Sequence, residues 1–480
     1  MHGHVTHSWV RIKLQTLTQP QRNTFLNHLE THLSYELERQ RIAHKTKHPI
    51  PVIGCPMCHW DFKVRLFWVK DDYLIFPTGL LCLVPLEQFD IKVEDLREYP
   101  PLRNGIVKVL PNGVTLREYQ VAAVEAALKQ RRGMVQAPTG SGKTYAIGAS
   151  LLLSLPTPIL WITHTVTLAR QAHSVLSHSL NVPIGFIGDN NCEIRDITIA
   201  LIQSLWSKQP TLKDYLTSVQ SVIVDECHRA ASRTYFKTLQ LCFKAGYRIG
   251  LSATPFRTYA PERLWLIGAL GPLIYSIPPT TLVQEKHLAE PLIYFIRVDL
   301  RNLKGVSEAW HSQYSALIRH PLRNNLIVQI AIKTAPCLIL VQQVQHGRIL
   351  ERLLKEKGLR VMFMHGASPS EQRLNAVKAL EEGQIHALVA TDIFSEGVDI
   401  PRVGVLINAA GMKSKVKVLQ RVGRALRPHP SKPYALIIDF IDDDAGLLLH
   451  HSYQRLKVLK TTFGNVKIVS FPEFLNLVTS

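Results

Sequence analysis

The stretch Gly133–Thr144, which reads GMVQAPTGSGKT, decides the fold class of this chain. It starts as a short apolar strand, turns through glycines and ends in Lys-Thr before an apolar helical segment. Gly140 and Gly142 let the backbone curl so that successive N–H groups point at phosphate oxygens. Lys143 can then reach the β- and γ-phosphates, and Thr144 can ligate Mg²⁺. The segment therefore predicts a nucleoside-triphosphate site made of Pro138, Thr139, Gly140, Ser141, Gly142, Lys143 and Thr144.

One position departs from the strict phosphate-loop pattern. That pattern begins with glycine, and here Ala137 stands in its place. A glycine-rich turn without a ligand is the alternative interpretation. The preceding strand and the following helix favour the phosphate loop, because both are needed to aim N–H groups at an anion.

The segment Val222–His228, VIVDECH, is an apolar strand that ends in two carboxylates. This placement puts both side chains at the carboxyl edge of a sheet, where ligands bind in open α/β folds. Asp225 can hold Mg²⁺, and Glu226 can polarise the attacking water as general base. A surface Asp-Glu pair is common by itself, so the prediction depends on the phosphate loop that precedes it.

Short apolar runs alternate with helical patterns from Leu110 onward; examples are PILWITH, SVIVDE, YRIGLSA, CLILVQ, ALVATD and ALIIDF. Such runs predict parallel strands that are buried on both faces by helices. A break near Asp299–Glu308 separates two sets of them. The 480-residue chain is therefore predicted to be α/β, with two such domains and a smaller domain in front.

Composition favours a polyanionic partner. Lys and Arg outnumber Asp and Glu by 56 to 37, a formal net charge of +19. Each cation that displaces counterions from a phosphate gains affinity, which points to nucleic acid. A basic but unspecialised protein is the alternative. Hydrophobic residues at 46% and charged residues at 19% argue against a disordered chain.

The seven cysteines are scattered and odd in number, which favours a reducing compartment over a disulfide framework. The N-terminus has no apolar segment of the signal-peptide type, and runs such as Ile147–Leu155 are too short to span a bilayer. We therefore expect a cytoplasmic, soluble protein with no membrane partner.

These motifs resemble those of the superfamily 2 helicases of the DECH-box kind, and further motifs follow in that family's order from about Val114 to Gly464. In the first half, Leu116–Gln120 resembles the adenine-reading segment and Thr163–Gln171 resembles motif Ia. Ile197–Leu205 resembles the strand-contacting Thr-x-Gln segment, and Leu251–Pro255 resembles the SAT motif. Ala200 or Leu201 stands where the Thr of the third segment is expected. In the second half, the His-Gly segment and motifs V and VI correspond to Met364–Gly366, Ala390–Pro401 and Gln420–Pro428.

The resemblance implies two tandem RecA-like parallel-sheet domains and a role for residues of each motif. It implies ATP contacts for Arg117, Gln120, Gly397 and Asp399, and Mg²⁺ ligation for Thr144 and Asp225. It implies catalysis for Glu226, Gln420, Arg424 and Arg427, and coupling of hydrolysis to movement for His228, Ser252, Ala253 and Thr254. It implies nucleic-acid contacts for His164, Arg170, Gln203, Ser204, His365, Gly366 and Thr391.

The arginines of motif VI have independent physical support. A guanidinium stays charged and donates bidentately to phosphoryl oxygens. An arginine finger accelerates phosphoryl transfer by about 10³–10⁵-fold in other systems. A helix with a solvated basic face is the alternative. Closure of a cleft between two RecA-like domains on ATP, and its opening after hydrolysis, would step the protein along a strand.

Domain boundaries are predicted at residues 1–105 for an α+β N-terminal accessory domain, 106–298 for the first RecA-like domain, 299–312 for a linker and 313–480 for the second. The accessory domain combines a WVRIKL strand, a helix over Gln19–Arg41 and a hairpin. Its aromatic residues alternate with Lys and Arg, so we expect it to bind DNA. A small β-rich core with a solvated outer face is the alternative.

A single CxxC pair, Cys55 and Cys58, lies in this accessory domain. Structural zinc needs four ligands, and neither Cys82 nor the histidines nearby complete a standard spacing. A reduced pair in a tight turn is therefore favoured over zinc.

Two segments resemble the branch of the superfamily that contains XPB, the restriction motors and the phage helicase UvsW. They are Leu282–Pro291, and Asp439–Asp444 followed by a helix with Arg455. This resemblance implies ATP- and Mg²⁺-dependent unwinding or branch migration of forked, duplex or junction DNA. An RNA helicase would share all the motifs, and a restriction motor would need nuclease or methylase partners. A non-hydrolysing switch would lack Glu226 or the paired arginines.

Overall fold

The structure is a computed structural model, and it describes residues 2–36, 63–256, 260–300, 310–391, 402–411, 415–430, 432, 434–443 and 446–479. The chain divides into two compact units, which are described separately below. The first comprises Met1–Gln136 with Gly142–Ser276, and the second comprises Ile277–Ser480 with the short segment Ala137–Ser141.

The first unit opens with a small mixed sheet. Its strands, in chain order, are β1 (His2–Val5), β2 (Trp9–Lys13), β5 (Trp68–Lys70), β6 (Tyr73–Pro77) and β7 (Lys92–Asp95), and a separate pair is formed by β3 (Ser34–Glu36) and β4 (Lys63–Arg65). The order in the sheet is β5-β6-β2-β1-β7, with only β1 and β7 parallel. Strand β2 buries alternate residues, as expected of a strand with one face on a core.

The predicted helix over Gln19–Arg41 is shorter in the structure. Helix α1 spans Gln19–His32 and begins at a capping box between Thr18 and Gln21. The chain then extends at once into β3, which pairs antiparallel with β4. Cross-strand pairing therefore overrides the helical spacing of the sequence after His32, and residues 37–62 lie outside the described part.

An eight-stranded sheet forms the body of the first unit. Its strands are β8 (Arg132–Gln136), β9 (Ile159–Thr163), β10 (Gly185–Gly188), β11 (Asn191–Glu193), β12 (Ile197–Leu201), β13 (Ser221–Asp225), β14 (Tyr247–Ser252) and β15 (Leu273–Ser276), in the order β11-β10-β12-β9-β13-β14-β8-β15. All neighbours are parallel except β10 and β11. Buried apolar strands of this kind are what the alternating runs of the sequence predict.

Helices cover this sheet. They are α2 (Glu118–Gln130), α3 (Ala149–Ser154), α4 (Val166–Leu180), α5 (Ile202–Ser207), α6 (Lys213–Ser218), α7 (Arg233–Leu241) and α8 (Ala260–Leu270). Five of these helices, α3, α4, α5, α7 and α8, come after a parallel strand, so they begin toward the carboxyl edge of the sheet and return the chain to the amino edge. The two edges therefore carry different residues.

The small sheet and the large sheet share one apolar core. Buried residues of the N-terminal part, among them Val10 and Phe25, belong to the same continuous cluster as Leu160 and Val224 of the large sheet. The rings of Trp9 and Phe236 lie 6.1 Å apart with their planes nearly perpendicular. The N-terminal part is thus packed onto the first RecA-like sheet.

Contacts at this junction involve the amino edge of the large sheet. Arg248, at the start of β14, is fully buried; its Nη2 donates to Ser8 Oγ at 3.0 Å and to Cys242 O at 2.8 Å. Arg132, at the start of β8, donates to the carbonyl oxygen of His7. Backbone carbonyls and hydroxyls, rather than carboxylates, therefore receive these guanidinium groups.

The second unit contains a seven-stranded, fully parallel sheet. Its strands are β16 (Glu290–Asp299), β17 (Cys337–Leu340), β18 (Val361–Met364), β19 (Ala387–Ala390), β20 (Val405–Asn408), β21 (Tyr434–Asp443) and β22 (Val466–Val469), in the order β18-β19-β17-β20-β21-β16-β22. Its helices are α9 (Pro279–Gln284), α10 (Trp310–Arg319), α11 (Pro321–Thr334), α12 (Val344–Glu356), α13 (Ser370–Glu381), α14 (Lys415–Ala425), α15 (Leu447–Phe463) and α16 (Phe471–Thr479).

Strand β16 lies in this second sheet, between β21 and β22, whereas the sequence-based boundary places residues up to 298 in the first domain. An apolar run reads the same whichever sheet it joins, so its spacing cannot assign it. The predicted boundaries otherwise stay predictions. Within the described residues, no helix combines the length and apolar character needed to cross a bilayer.

Candidate ATP and nucleic-acid site

The phosphate loop follows the carboxyl end of β8 and leads into the helical turn Lys143–Gly148. Gly140 and Gly142 have φ values of 88° and 81°, a left-handed conformation that glycine adopts without a steric penalty. A Cβ atom on Gly142 would lie 2.6 Å from Nε2 of Gln120. The loop and the predicted adenine-reading segment are therefore in direct contact.

The adenine-reading segment is held by a small hydrogen-bond network. The backbone N–H of Arg117 donates to Oε1 of Gln120 at 2.9 Å, and Nε2 of Gln120 donates to the Tyr119 hydroxyl at 3.3 Å. Nη1 of Arg117 donates to the same hydroxyl at 3.2 Å. Burial raises the pKa of Tyr119. The Gln120 amide, which is buried, therefore has a fixed orientation.

The two predicted catalytic carboxylates lie where β13 ends. Parallel pairing places Asp225 beside Leu251 of β14, so Glu226 comes next to Ser252. The Ser252 hydroxyl donates to Oε2 of Glu226 at 3.2 Å. His228 Nδ1 lies 3.2 Å from this same oxygen and 3.1 Å from Ser252 Oγ. Glu226, His228 and Ser252 thus form a compact triangle.

This triangle extends into the SAT segment. The backbone N–H of Thr254 donates to Ser252 Oγ at 3.2 Å, and both Ser252 and Thr254 are buried. A displacement of the Glu226 carboxylate would therefore reach Thr254 through two hydrogen bonds. This contiguous path suits the coupling role that the sequence predicts for His228, Ser252, Ala253 and Thr254.

Burial and neighbouring charges push the pKa values of the two carboxyls apart. Burial, together with the charge of Glu226, raises the pKa of Asp225 to about 7, although Lys143 opposes this shift. Burial also disfavours charge on Glu226, but the hydrogen bond from His228 and the charge of Lys143 lower its pKa to about 2. One of two adjacent buried acids thus keeps its charge at the expense of the other.

The oxygen-bearing side chains at this edge suit Mg²⁺. The metal takes oxygen ligands, and the buried carboxylate of Asp225 with the hydroxyl of Thr144 supplies them. A divalent cation would offset the repulsion between Asp225 and Glu226, so both could be charged together.

The predicted nucleic-acid contacts of the first unit meet at the carboxyl ends of β9 and β12, which are paired neighbours. Nε2 of Gln203 donates to the backbone oxygen of His164 at 3.1 Å. Gln203 and the neighbouring Ser204 begin α5, and His164 follows β9. Arg170, on α4, is exposed and pairs with Asp189.

In the second unit, His365 and Thr391 also follow paired parallel strands, β18 and β19. The backbone N–H of Thr391 donates to Met364 O at 3.1 Å, and that of His365 donates to Ser368 Oγ at 3.0 Å. Gly366 continues the same turn. Gly397 and Asp399 lie outside the described residues, as do Cys55 and Cys58.

The helix that carries motif VI, α14, is anchored through a buried polar chain. Arg421 Nη1 donates to Asn408 Oδ1 at 2.9 Å, and Asn408 Nδ2 donates to Asp439 Oδ2 at 2.7 Å. Arg455 Nε then donates to both oxygens of Asp439, at 3.0 and 3.1 Å. Asn408 is 4% exposed and the other three are exposed by 2% or less, so the chain links α14, β20, β21 and α15 inside the core.

A buried lysine, Lys432, binds the carboxyl-terminal end of α14. Nζ of Lys432 donates to Ala425 O at 2.9 Å and to Val403 O at 3.3 Å. A cation at the last carbonyls of a helix is favourable. The side chains of Gln420 and Arg424 lie outside the described part, while Arg427 follows the end of the helix.

Two protein families match this chain. Residues 113–257 match the family described as "Type III restriction enzyme, res subunit", and residues 322–429 match the "Helicase conserved C-terminal domain". Together they span more than half of the sequence. The chain belongs to the superfamily 2 helicases. It is an ATP-dependent helicase or translocase, as the motifs of both halves predict.

Relatives of this superfamily 2 helicase share about a quarter of its residues. "Putative helicase 22" of Sulfolobus islandicus filamentous virus is 25% identical, over 85% of this chain and 78% of its own. "DNA 3'-5' translocase XPB2" of Sulfurisphaera tokodaii is 24% identical, with 73% and 89% covered. "ATP-dependent DNA helicase uvsW" of Enterobacteria phage T4 is 26% identical, with 68% of each covered.

A solved structure shares the fold. Dbp5 of S. cerevisiae, bound to RNA and ADP BeF3, superposes with a TM-score of 0.54 at 17% identity, over 76% of this chain and 93% of its own. At this identity the likeness concerns the architecture alone. The fold predicted from the sequence, two parallel RecA-like sheets with a small mixed sheet in front, is confirmed.

Sequence reasoning missed several residues of this helicase site. Tyr119 lies inside the adenine-reading motif but was not singled out, although its hydroxyl receives two of the hydrogen bonds there. Asn408 and Lys432 lie outside the recognised motifs. For Asn408 the available signal was a polar residue that ends an apolar strand, which is the same signal that marks Asp225.

Proposed function

We propose that this superfamily 2 helicase is a DNA helicase or translocase that unwinds or branch-migrates forked, duplex or junction DNA. The observation that carries the proposal is the set of relatives: those of Sulfurisphaera tokodaii and phage T4 are named for DNA and match 73% and 68% of this chain. The net charge of +19 supports a polyanionic partner.

ATP hydrolysis is assigned to the carboxyl edge of the first sheet. In this proposal Glu226 accepts the proton of the attacking water, and His228 and Ser252 hold its carboxylate in place. Lys143 and the N–H groups of the loop bind the phosphates, and Arg117 and Gln120 contact the adenine. Asp225 and Thr144 would hold Mg²⁺, which when bound would supply charge neutralisation at the phosphates.

Motif VI supplies the remaining charge. Arg424 and Arg427, with Gln420, would act on the charge that develops during phosphoryl transfer, and Gly397 and Asp399 of motif V would contact ATP. The buried chain from Arg421 to Arg455 fixes the backbone of α14, which carries two of these residues. Rigid support of this kind is what a group acting on a transition state requires.

Strand contact is assigned to residues that follow parallel strands in both units. In the first unit these are His164, Gln203, Ser204 and Arg170, and in the second they are His365, Gly366 and Thr391. Backbone amides, hydroxyls and an exposed guanidinium suit contacts to phosphate rather than to bases. Such contacts carry no sequence preference, as a moving helicase requires.

The accessory domain is expected to bind DNA, but its net charge is close to zero and adds little to this expectation. The first hundred residues contain 12 of the 56 Lys and Arg residues and 11 of the 37 Asp and Glu residues. The surplus of positive charge therefore lies almost entirely after them. DNA binding by this domain stays a prediction, and it would have to use stacking more than phosphate contact.

The test is an ATPase titration of the full chain with five nucleic acids: single-stranded, duplex, forked and four-way DNA, and single-stranded RNA, all at one salt concentration. We expect DNA to stimulate turnover more than RNA, and forked or four-way DNA to saturate at the lowest concentration. Equal or greater stimulation by RNA would overturn the DNA assignment. Stimulation by single strands alone would overturn the fork and junction assignment.

A further inference from the structure

An aromatic ring stands exposed on α5. Ile202 and Leu205 of this short helix are buried, whereas Gln203 and Trp206 face solvent, and Trp206 is 40% exposed. Residues three apart on a helix share a face, so Trp206 lies one turn beyond Gln203 on the same side. A base stacked on this ring would remove further apolar area from water, which is favourable.

The position of the ring connects it to the predicted strand contacts. Helix α5 starts directly after β12, at the carboxyl edge of the first sheet. Gln203 donates to the backbone of His164, which follows the neighbouring strand β9. Trp206 thus continues a surface already assigned to nucleic acid, on the side of α5 that faces away from the core.

Positive charge accompanies the ring. Nζ of Lys237, on α7, lies 6.0 Å from the centre of the Trp206 ring, and Lys208 follows two residues later in the sequence. An aromatic face beside cations is the combination with which proteins bind single strands, because the ring stacks on a base while the cations meet phosphates.

We propose that Trp206 stacks on a base of a single nucleic-acid strand that runs along the carboxyl edge of the first sheet. This rests on the proposed function. It adds a base contact to a site otherwise made of phosphate contacts, and it requires no sequence preference because every base offers a π-face. The strand would lie with its backbone toward Gln203 and Lys237 and with one base on the ring.

Another exposed tryptophan is the natural rival. Trp68, on edge strand β5 of the small sheet, is 41% exposed, but its ring lies 4.9 Å from that of Trp9 in an edge-on arrangement. Trp9 in turn packs on Phe236. Trp68 therefore caps the apolar junction of the first unit, whereas Trp206 lies among residues predicted to contact a strand.

The test compares two strands and three variants of the full chain. Binding of a fluorescein-labelled oligothymidylate, and of the same phosphodiester with abasic sugars, is measured by anisotropy at fixed salt. For Trp206→Ala we expect the Kd for oligothymidylate to rise at least about five-fold, the lower end of the effect of stacking one base. The Kd for the abasic strand should stay within about two-fold of wild type. Trp206→Phe, which keeps an aromatic face, should bind oligothymidylate nearly as wild type does.

Phe243→Ala is the matched control, because Phe243 is 49% exposed but follows α7 at the amino edge of the same sheet. It should bind both strands as wild type does. Circular dichroism and melting temperature establish that each variant is folded. An unchanged Kd for Trp206→Ala on oligothymidylate, or an equal loss on both strands, overturns the stacking assignment. A wild-type chain that binds neither strand would instead contradict the proposed function.

Discussion

The two RecA-like units have the same kind of sheet but handle buried charge in opposite ways. In the first unit, Asp225 and Glu226 are adjacent acids whose buried charges repel each other. In the second unit, buried acids face guanidinium groups: Arg323 lies 2.7 Å from Asp442, and Arg455 lies 2.9 Å from Asp439. The side chains of both pairs are at most 1% exposed.

This difference indicates that the buried acids of the first unit serve chemistry, whereas those of the second unit serve stability. Adjacent acids are a poor arrangement for stability, and they become favourable only when a cation or substrate is bound. Buried charges that are paired fix neighbouring elements, and removing one partner leaves the other buried without compensation. Loss of a charge should therefore affect chemistry in the first unit and stability in the second.

The largest effect is expected for Glu226→Gln. The amide keeps the shape of the side chain but cannot accept the proton of water, so kcat should fall by about 10²–10⁴-fold. The melting temperature without Mg²⁺ should change little, because the substitution removes both the repulsion with Asp225 and the attraction of the carboxylate to His228 and Lys143. Steady-state ATPase assays measure kcat and thermal melts measure the melting temperature, while binding of a fluorescent ATP analogue, which should persist, shows that the nucleotide site is intact.

Glu125→Gln, on the exposed face of α2, is the control for this substitution and should leave both kcat and melting temperature unchanged. Near-normal kcat for Glu226→Gln would remove Glu226 from the chemistry. A fall in melting temperature of several degrees would show that its charge stabilises the fold, contrary to the comparison.

For Asp439→Asn in the second unit we expect a loss of stability. An amide cannot accept the hydrogen bonds of Arg455 at both of its terminal atoms, and the buried guanidinium loses its counter-charge. Breaking a buried pair costs about 3–5 kcal/mol. Chemical denaturation followed by circular dichroism should show this loss in the transition of the second unit.

Asp443→Asn is a matched control on the same strand, because the pair of Asp443 with Arg297 is partly exposed, by 28% and 49%. Surface pairs contribute about 0–1 kcal/mol, so this variant should unfold almost as wild type does. Equal losses for the two variants would mean that burial does not distinguish the pairs.

A third substitution tests whether the N-terminal part is packed tightly on α8 of the first unit. Gly79 lies in the turn Thr78–Leu83 of the N-terminal part, and a Cβ atom there would be 2.0 Å from Ile267 O and 2.7 Å from Gly268 O. Because both atoms belong to the backbone of α8, Gly79→Ala should force the two parts of the shared core apart and cost about 1–3 kcal/mol. The transition of the first unit should move to lower denaturant.

Gly105→Ala provides the control, since no atom lies within 4 Å of its added methyl group. It should be neutral or slightly stabilising, because alanine reduces the freedom of the unfolded chain. If Gly79→Ala is equally neutral, the N-terminal part is not packed on α8 as tightly as the shared core requires.

The smallest effect concerns pH. Burial lowers the pKa of His7 to about 4, and its Nε2 lies 2.8 Å from Glu98 O at the same junction. Since the unfolded state binds this proton near pH 6.5, stability is complete above that pH and declines as the pH falls toward 4. After allowance for solvent screening, the loss should be about 1–2 kcal/mol.

His7→Gln should flatten this pH dependence, as measured by denaturation at several pH values between about 7 and 4. The half-exposed His4→Gln is the control and should keep the wild-type profile. An unchanged profile for His7→Gln would place the pH sensitivity of the first unit elsewhere.

The sequence predicts best what depends on local patterns. The apolar runs predict both parallel sheets, and glycines followed by Lys-Thr predict the loop after β8. Strand endings place Asp225, Glu226, His164 and Thr391 at carboxyl edges, because parallel strands all end on the same side. The spacing predicts a helix over Gln19–Arg41, but the helix ends at His32, because β3 pairs with a strand about thirty residues further along the chain.

What the sequence could not supply are contacts between distant segments. Nothing in the spacing around Trp9 indicates that its ring meets Phe236, and nothing around Arg455 identifies Asp439 as its partner. The run at β16 is apolar in either sheet, so its membership depends on pairing with β21 and β22. The periodicity of the sequence indicates which residues are buried. It does not indicate which other residues they pack against.

The close approach of Gly79 to α8 has a consequence for the evolution of this protein. The turn that carries Gly79 and the helix turn of Ile267 and Gly268 lie almost two hundred residues apart in the sequence, yet Gly79 cannot gain a side chain unless the backbone of that helix turn moves. A lineage that gained a side chain at position 79 would need a compensating shift of this helix turn. An ancestor that exchanged its leading segment for an unrelated one would likewise have kept it only if the new segment fitted the same helix turn. We therefore expect position 79 to stay glycine among descendants wherever this helix turn keeps its place.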